Sequence, residues 1–203
     1  MATAAGGERG AALVLALFML IAILLLGASA AQLALQAEKV ARGERDWQLA
    51  FQAAEEALMD AEKDIEGTPA EPGRSAMFAP DSALGFVAGC GGDGASLGLC
   101  LRGAAGQAPV WQSVDFDDDG AATARSVPYG KFTGATMPSG EGLLPFKRPR
   151  YIIELLPFTQ EGEDAGQQLG YFYRVTAIGF GARPGSEVVL QSFYRKAPGG
   201  AAR

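Results

Sequence analysis

The chain has 203 residues, a formal net charge of -6 and a sequence pI of about 4.8. An acidic chain without a basic patch is a poor candidate for nucleic-acid binding, because Lys and Arg contacts to phosphate supply most of that affinity. The sequence contains no histidine, which excludes Ser–His–Asp and Cys–His catalysis and imidazole metal sites. We therefore expect neither an enzyme nor a cofactor-binding protein.

The N-terminal region contains a long apolar segment. Residues 11–31 read AALVLALFMLIAILLLGASAA, and no charged residue occurs between Arg9 and Glu38. About 21 helical residues at about 1.5 Å each span about 31 Å, which matches the hydrocarbon core of a bilayer. The sequence predicts a transmembrane helix at 11–31 behind a polar leader at 1–10. A buried core helix is the alternative, but such helices rarely stay apolar on all sides for this length.

Two kinds of processing are compatible with this segment. The ASA sequence at 28–30 has the form of a secretory signal-peptide cleavage site, although the apolar run is longer than usual for such a signal. In the other case, cleavage falls between Gly10 and Ala11, and the apolar segment stays attached as an anchor. Arg9 fits the cytoplasmic side of the membrane by the positive-inside rule.

The helical pattern continues well beyond the apolar segment. Strong helix formers fill the sequence up to Glu66, and Gly67 followed by Pro69 is a typical helix stop. The sequence therefore predicts one helix over 11–66, whose distal part has an apolar stripe that needs a partner surface. The stripe consists of Leu33, Ala37, Val40, Trp47, Ala50, Phe51, Ala54, Leu58 and Ile65.

Three strands are predicted at 150–158, 170–180 and 187–195, from their β-branched and aromatic content and their alternation. The short connections between them favour antiparallel neighbours, and one face of that sheet can bury the stripe of the helix. The predicted fold class is therefore α+β. The aromatic residues of the strands are interpreted as core and edge packing rather than as a binding platform. They are Tyr171, Phe172, Tyr173, Phe193 and Tyr194.

The glycine-rich stretch at 85–106 contains both cysteines. Cys90 and Cys100 are ten residues apart, so an oxidised pair would close a flexible loop and stabilise the chain by about 2–3 kcal/mol. We expect this disulfide if the domain lies in an oxidising compartment. A redox-active pair is the alternative, but the spacing is not Cys-x-x-Cys.

Asp115, Asp117 and Asp119 precede Gly120 in a D-x-D-x-D-G pattern, which is how a calcium-binding loop begins. The twelfth position of such a loop should be a bidentate glutamate, and here it is Ser126. The sequence leaves two interpretations open, a calcium site or a solvated Asp-turn.

The N-terminal stretches ERGAALVLALFMLIAILLLGASA and RDWQLAFQAAEEALMDAE, with YFYRVTAIGFGARPGSEVVLQSFYRK near the C-terminus, resemble the PilX-type minor pilins of the type IV pilus. The resemblance implies a type IV pilin-like fold, with a long N-terminal helix packed on a C-terminal antiparallel sheet. It implies a prepilin leader at 1–10, cleavage between Gly10 and Ala11 with methylation, and a periplasmic globular domain over 67–203.

The sequence departs from the general pilin pattern at one informative position. Most prepilins have a glutamate as the fifth mature residue, which neutralises the N-terminal amine of a neighbouring subunit, and here that residue is Leu15. The first mature residue would be Ala11 instead of the usual Phe. The missing carboxylate argues against a major, polymer-forming subunit and favours a position at the end of the filament.

The resemblance implies a protein that primes pilus assembly and lies at or near the pilus tip, acting by packing. Leu13, Leu15, Leu17 and Leu24 belong to the helix that would pack against other pilins. The implied partners are the major pilin, other minor pilins, a tip-associated adhesin, the prepilin peptidase and the inner-membrane assembly platform. The implied location is the bacterial inner membrane, with the C-terminal domain in the periplasm, and the pilus tip. Cell adhesion, twitching motility and DNA uptake all remain compatible with this sequence.

Three alternatives remain. A pseudopilin of the GspK type also lacks the glutamate, but such proteins are typically much larger. A single-span membrane protein that acts as a binding module would retain residues 1–10. A secreted enzyme would be released after Ala30, although the sequence between the helix and the strands contains no recognisable catalytic constellation.

Overall fold

The computed structural model describes residues 9–67, 72–79, 81–158 and 170–196. The helices and strands, in chain order, are α1 (Arg9–Glu66), α2 (Pro72–Ser75), β1 (Leu99–Leu101), β2 (Val127–Pro128), β3 (Arg150–Phe158), β4 (Gly170–Phe180) and β5 (Glu187–Tyr194). Short 3-10 turns lie at Ala76–Phe78, Gly94–Ser96 and Val110–Gln112. The chain divides into two compact units, Met1–Arg45 and Asp46–Arg203.

Helix α1 has 58 residues and ends where the sequence predicts. Gly67 adopts the left-handed conformation with a φ of 89°, and its N–H donates to the carbonyl oxygen of Lys63 at 3.0 Å. This is the usual way in which a glycine terminates a helix, because a side chain would be strained in that conformation. The start differs slightly from the prediction, since the helix already includes Arg9 and Gly10.

The sheet is mostly antiparallel, as predicted. β3, β4 and β5 form an antiparallel meander in which Ile153 pairs with Val175 and Ala177 pairs with Leu190. The predicted strand bounds agree with the structure, except that β5 ends at Tyr194. β1 was not predicted, and it pairs with β3 in parallel. A parallel pair needs a long crossover connection, and the residues between β1 and β3 provide one.

The segment after α1 differs from the predicted loop at 67–81. It contains the short helix α2 and the 3-10 turn at Ala76–Phe78. Phe78 in this turn is fully buried and makes edge-on ring contacts with Phe86 and Tyr173. A single large aromatic side chain therefore fixes the segment on the core, which its Pro- and Gly-rich composition did not indicate.

The core of the second unit lies between α1 and the inner face of the sheet. The buried helix residues are Ala50, Ala53, Ala54, Ala57, Ala61 and Ile65. The facing strand residues in the main cluster are Tyr151, Ile153, Leu155, Tyr173, Val175 and Ala177. The helix presents mostly methyl groups, whereas the sheet supplies the large side chains. Small residues on a helix let its backbone come close to the surface on which it packs.

The predicted apolar stripe is confirmed only in its distal part. Ala50, Ala54 and Ile65 are fully buried, and Phe51 and Leu58 pack partly against the core. The prediction was wrong for the proximal positions, because Leu33, Ala37, Val40 and Trp47 are exposed. A helix by itself cannot bury its own apolar side chains, so periodicity alone does not show which part of the stripe has a partner.

The aromatic residues of the strands separate onto two faces. Tyr173 is part of the buried core, and Tyr171 and Tyr194 pack against that core. Phe172 and Phe193 lie on the opposite face, with ring centroids 5.9 Å apart. Core packing is therefore the right interpretation for the three tyrosines. It is wrong for Phe193, whose side chain is 66% exposed.

Helix α1 comes very close to the sheet at Gly179 on β4. A Cβ atom at this position would lie 2.1 Å from the carbonyl oxygen of Ala50 and 2.3 Å from the backbone nitrogen of Ala54. Both neighbours are backbone atoms of a continuous helix, so neither can rotate away. Only glycine allows this contact, and the contact fixes the distance between α1 and β4.

We expect Gly179→Ala to lower the free energy of unfolding of the full-length chain in detergent by about 1–3 kcal/mol or more, because the added methyl group must push helix and strand apart. Urea unfolding measures the effect. Gly43→Ala is the control, since a Cβ there meets nothing within 4 Å. Equal stability of the two variants would contradict the close-contact argument.

Candidate functional site

The apolar part of α1 is the first candidate site. Within the described residues, α1 contains a stretch that is long and apolar enough to cross a membrane, and none of that stretch is buried. The four leucines predicted to take part in assembly, Leu13, Leu15, Leu17 and Leu24, are all exposed. An apolar surface of this size needs an apolar environment, which either lipid or other apolar helices can supply.

No carboxylate interrupts this apolar surface. The first turn of α1 contains no acidic residue, and Leu15 is 64% exposed. The first acidic side chain of the helix is Glu38, which forms an ion pair with Arg42 one turn further on. The segment can therefore pack against apolar surfaces, but it offers no partner for a positive charge.

Asp46 is the first of three buried aspartates that attach α1 to the loops of the second unit. Its carboxylate accepts hydrogen bonds from the backbone N–H of Ala182 at 2.5 Å, from Arg183 Nε at 3.2 Å and from the Ser186 hydroxyl. Burial by itself would raise the pKa of Asp46, but the hydrogen bonds from Ser186, Ala182 and Arg183 outweigh it and lower this pKa. The ionised carboxylate therefore holds the β4–β5 turn against the helix.

Asp60 and Asp64 make the same kind of contact near the end of α1. Asp60 accepts hydrogen bonds from the Gly130 N–H at 2.8 Å and from the Thr133 hydroxyl. Asp64 accepts a hydrogen bond from the Tyr151 hydroxyl at 2.9 Å, and its other oxygen lies 3.0 Å from Arg74 Nε. The two aspartates thus connect the helix to the loop after β2, to β3 and to α2.

The Asp64–Arg74 ion pair is almost completely buried. Burial raises the pKa of Asp64 to about 6, although the positive charge of Arg74 and the hydrogen bond from Tyr151 act in the opposite direction. Burial also lowers the pKa of Arg74, which Asp64 partly offsets. The Arg74 guanidinium carbon lies 3.6 Å from the centre of the Phe132 ring, so a cation–π contact replaces part of its lost hydration.

The disulfide between Cys90 and Cys100 is present, with the two Cα atoms 4.0 Å apart. Cys100 lies on β1, and both cysteines belong to a small apolar cluster on the outer face of the sheet. That cluster also contains Phe116, Ile152, Ile178 and Phe180. The disulfide therefore fixes the glycine-rich loop on the sheet face opposite to α1.

The aspartate loop at 115–119 is paired with cations of the chain itself. Lys147 Nζ lies 3.4 Å from a carboxylate oxygen of Asp117 and 3.1 Å from one of Asp119. Arg150 also pairs with Asp119. Asp115 accepts a hydrogen bond from the Asp117 N–H at 2.8 Å, which is the geometry of an Asp-turn. The structure places Asp117 and Asp119 against Lys147, and with Arg150 it supplies two positive charges where a calcium loop supplies further oxygen ligands.

Ser126, the residue at the twelfth position of this loop, also bonds to Arg150. Arg150 Nε donates to its hydroxyl at 2.7 Å, and Arg150 Nη2 donates to its carbonyl oxygen at 2.9 Å. Asp118 bonds inside the loop, where the Gly120 N–H and the Thr123 hydroxyl lower the pKa of its carboxyl group. Across the described ranges, no group of three or more His, Cys, Asp or Glu side chains is arranged to hold a metal ion.

The arrangement of these elements defines a class of protein. A long N-terminal helix, apolar in its first part and packed in its last part on a mostly antiparallel sheet, is the layout of a type IV pilin.

Comparison with protein families gives the same result. The model of the PilX N-terminal domain matches residues 9–58, and the model of the C-terminal domain of the type IV pilus assembly protein PilX matches residues 96–196. The chain belongs to the PilX family, and its class is the minor pilin of the type IV pilus, a structural pilus component. Searches of the curated proteins and of the solved structures found no match.

Sequence reasoning missed the residues that attach the helix. Asp46, Asp60 and Asp64 appear in the sequence as ordinary polar positions of a helix, and Arg74 appears as part of a loop. One available signal is that Asp60 and Asp64 lie on the same helix face as Ala57 and Ala61, which are buried. Acidic residues next to an apolar stripe can accept hydrogen bonds from buried backbone groups.

We expect a pH effect from Asp64. Its pKa in the folded chain is about 6, above its ordinary value of 3.8, so the folded state binds more protons than the unfolded state between these pH values. The ionised group therefore costs stability above about pH 6, and that cost disappears as the pH falls. This difference in the pKa of Asp64 corresponds to a change of at most about 3 kcal/mol in the free energy of unfolding.

The free energy of unfolding, measured by urea unfolding, should rise between about pH 7 and about pH 5. Asp64→Asn should remove this rise, because the amide does not titrate. Asp81→Asn is the matched control at an exposed aspartate, and the rise should persist in it. A rise of equal size in Asp64→Asn would show that another group titrates.

We expect calcium to leave the Tm of the chain unchanged, because Lys147 and Arg150 already neutralise Asp117 and Asp119. Thermal unfolding with added calcium and with a chelator tests this. If calcium raised the Tm of the native chain and had no effect on D117N/D119N, the loop would be a calcium site.

Proposed function

We propose that this chain primes the assembly of the type IV pilus and occupies a position at or near the filament tip. The observation that carries the proposal is an apolar helix surface without any carboxylate. Leu15 stands at the fifth position after the proposed cleavage between Gly10 and Ala11, and no acidic residue lies between Ala11 and Glu38. The proposal concerns packing of helices and not catalysis.

The physical argument starts from the N-terminal amine that cleavage creates. A positive amine inside a bundle of apolar helices is costly unless a carboxylate pairs with it. Leu15 cannot pair with the amine of another subunit placed beside it. A subunit of this kind can have other subunits below it, but it does not favour a further subunit above it. That asymmetry supports a terminal position and a role at the start of assembly.

The proposed partners follow from this position. The apolar helix would contact helices of the major pilin and of other minor pilins, by the close packing that associates helices in membranes. The globular part, residues 67–203, would contact a tip-associated adhesin. The prepilin peptidase would process the leader, and the inner-membrane platform would receive the anchored chain. Residues 1–8 of the leader lie outside the described residues.

The proposed location changes with the stage of assembly. Before assembly, residues 11–31 would anchor the chain in the bacterial inner membrane, with the C-terminal part in the periplasm. The disulfide between Cys90 and Cys100 supports an oxidising compartment for that part. After assembly, the same apolar segment would lie among the helices of the filament, with this chain at its tip.

We expect the mature chain to begin at Ala11 in cells that contain the prepilin peptidase and at the intact leader in cells that lack it. Mass spectrometry of the purified chain identifies the N-terminal residue in both cases. A start at Ala31 would contradict the pilin proposal and indicate a secreted protein. An intact leader in both cells would indicate a single-span membrane protein.

A second measurement addresses the terminal position. Introducing a carboxylate at the fifth mature position, Leu15→Glu, should let further subunits add above this chain. Immunogold labelling of pili from such cells should then show label along the filament as well as at the end. Leu17→Glu is the matched control, because it places the same charge two residues away from the proposed pairing position.

A further inference from the structure

A groove runs along the distal part of α1, within the second unit. Its cavity volume is about 680 Å³. One wall is the helix from Leu49 to Glu62, and the other wall is the loop after β2, represented by Met137, Leu144 and Pro145. Met59 on the helix wall is 51% exposed, and Leu144 on the loop wall is 38% exposed. Leu143, which precedes Leu144 in the loop, is 65% exposed. The lining is mainly apolar, and the sheet does not cover it.

The loop wall is held in place by hydrogen bonds to the helix and to the sheet. Asp60 on α1 accepts the hydrogen bonds of Gly130 and Thr133, at the start of this loop. At its end, the Phe146 N–H donates to the carbonyl oxygen of Gly181 at 2.8 Å. The loop is also closed on itself, because the Gly140 N–H donates to the Pro145 carbonyl oxygen at 2.9 Å. The groove is therefore preformed, and a ligand would not have to order it.

The charge of the groove has one sign. Glu55, Glu56 and Glu62 lie along the helix wall, and none of the described residues that line the groove is Lys or Arg. Glu56 accepts a long hydrogen bond from the Tyr129 hydroxyl, at 3.4 Å. Glu55 and Glu62 form no ion pair with any residue in the part of the chain that the structure describes. They are seven residues apart, which is about 10.5 Å along a helix.

The geometry of the walls favours a helix as the occupant. The stretch from Leu49 to Glu62 is about 20 Å long, which matches about 13 residues of a second helix. The backbone hydrogen bonds of α1 are made within the helix, so this wall offers no strand edge to which an extended peptide could bond. An occupant would therefore bind by side-chain packing between helices, with apolar residues on the floor of the groove and charged residues at its rim.

We propose that this groove receives an amphipathic, positively charged helix of another pilus subunit. This inference rests on the proposed function and adds the chemistry of one partner surface. The partner helix carries apolar side chains against Met59 and Leu144, and Lys or Arg side chains about two turns apart against Glu55 and Glu62. The acidic rim steers that helix toward the groove and fixes its register.

Site-specific photocross-linking of the full-length chain in cells that assemble pili tests the proposal. A benzophenone amino acid replaces Leu144, and mass spectrometry of the digested adduct identifies the peptide that it contacts. We expect a helical segment of another pilus subunit, with two Lys or Arg residues about seven positions apart. A segment without such residues, a lipid adduct or an adduct to a second copy of this chain would overturn the proposal.

Charge reversal provides the second arm of the test. E55K/E62K should reduce the adduct at position 144 about tenfold, because two attractive rim contacts become repulsive. Glu187→Lys is the matched control, since it reverses one exposed glutamate at the start of β5, outside the groove. Changing the two cations of the identified partner helix to Glu should restore the adduct of E55K/E62K. An adduct that E55K/E62K leaves unchanged would overturn the proposal.

Two controls are needed to interpret a loss of the adduct. One excludes misfolding of the variant, and the other distinguishes failure of this inference from failure of the proposed function. E55Q/E62Q removes the charges without reversing them and should lower the adduct less, and protease resistance checks that each variant is folded. If the chain starts at Ala11 and pili assemble while no adduct forms at position 144, the groove proposal is wrong and the proposed function stands. If the leader is retained and no pili assemble, both proposals are wrong.

Discussion

The close contact between α1 and β4 sets the geometry of the second unit. At Gly179 the backbone of the helix lies so near the strand that no side chain fits between them. The helix can come this close because it presents a row of alanines, among them Ala50 and Ala54. The large side chains that fill the remaining space come from the sheet, with Tyr151 and Tyr173 fully buried. The positions of the surrounding loops then follow, because each must reach a helix whose distance from the sheet is fixed.

Three buried carboxylates on α1 determine where the loops attach to the helix. Asp46 binds the β4–β5 turn, Asp60 binds the loop after β2, and Asp64 binds both α2 and β3. Each accepts hydrogen bonds from groups of the loops or the sheet, and for the buried donors Tyr151 and Arg74 the loss of the acceptor would cost free energy. The Asp64–Arg74 pair shows the cost of this solution, since burial disfavours both charged forms. Attachment by aspartates also leaves the opposite flank of α1 available, where Glu55 and Glu62 line the groove.

The two parts of α1 suit different environments. From Asp46 onward the helix packs on its own sheet, whereas the apolar segment at 11–31 has no covering layer in its own unit. A segment of this composition is stable in lipid and equally in a bundle of similar helices, because packing replaces one apolar environment by another. This property suits a PilX-type minor pilin, which we propose to move from the membrane into a filament. In the proposed function, the carboxylate missing at Leu15 would make this chain the terminal subunit, because no further subunit would gain an ion pair by adding above it.

The sequence by itself determined the long helix, its stop at Gly67, the three long strands and the apolar segment, since these depend on periodicity, propensity and capping within short stretches of chain. It also indicated the Cys90–Cys100 disulfide, because a ten-residue spacing in a flexible loop permits one. Tertiary structure decided the remainder. The parallel strand β1, the burial of Phe78 and the pairing of Lys147 with the aspartate loop all join residues that are far apart in sequence. Periodicity could not show that the helix stripe is buried only from Ala50 onward, because burial depends on where a second layer lies, and only the folded sheet supplies that layer.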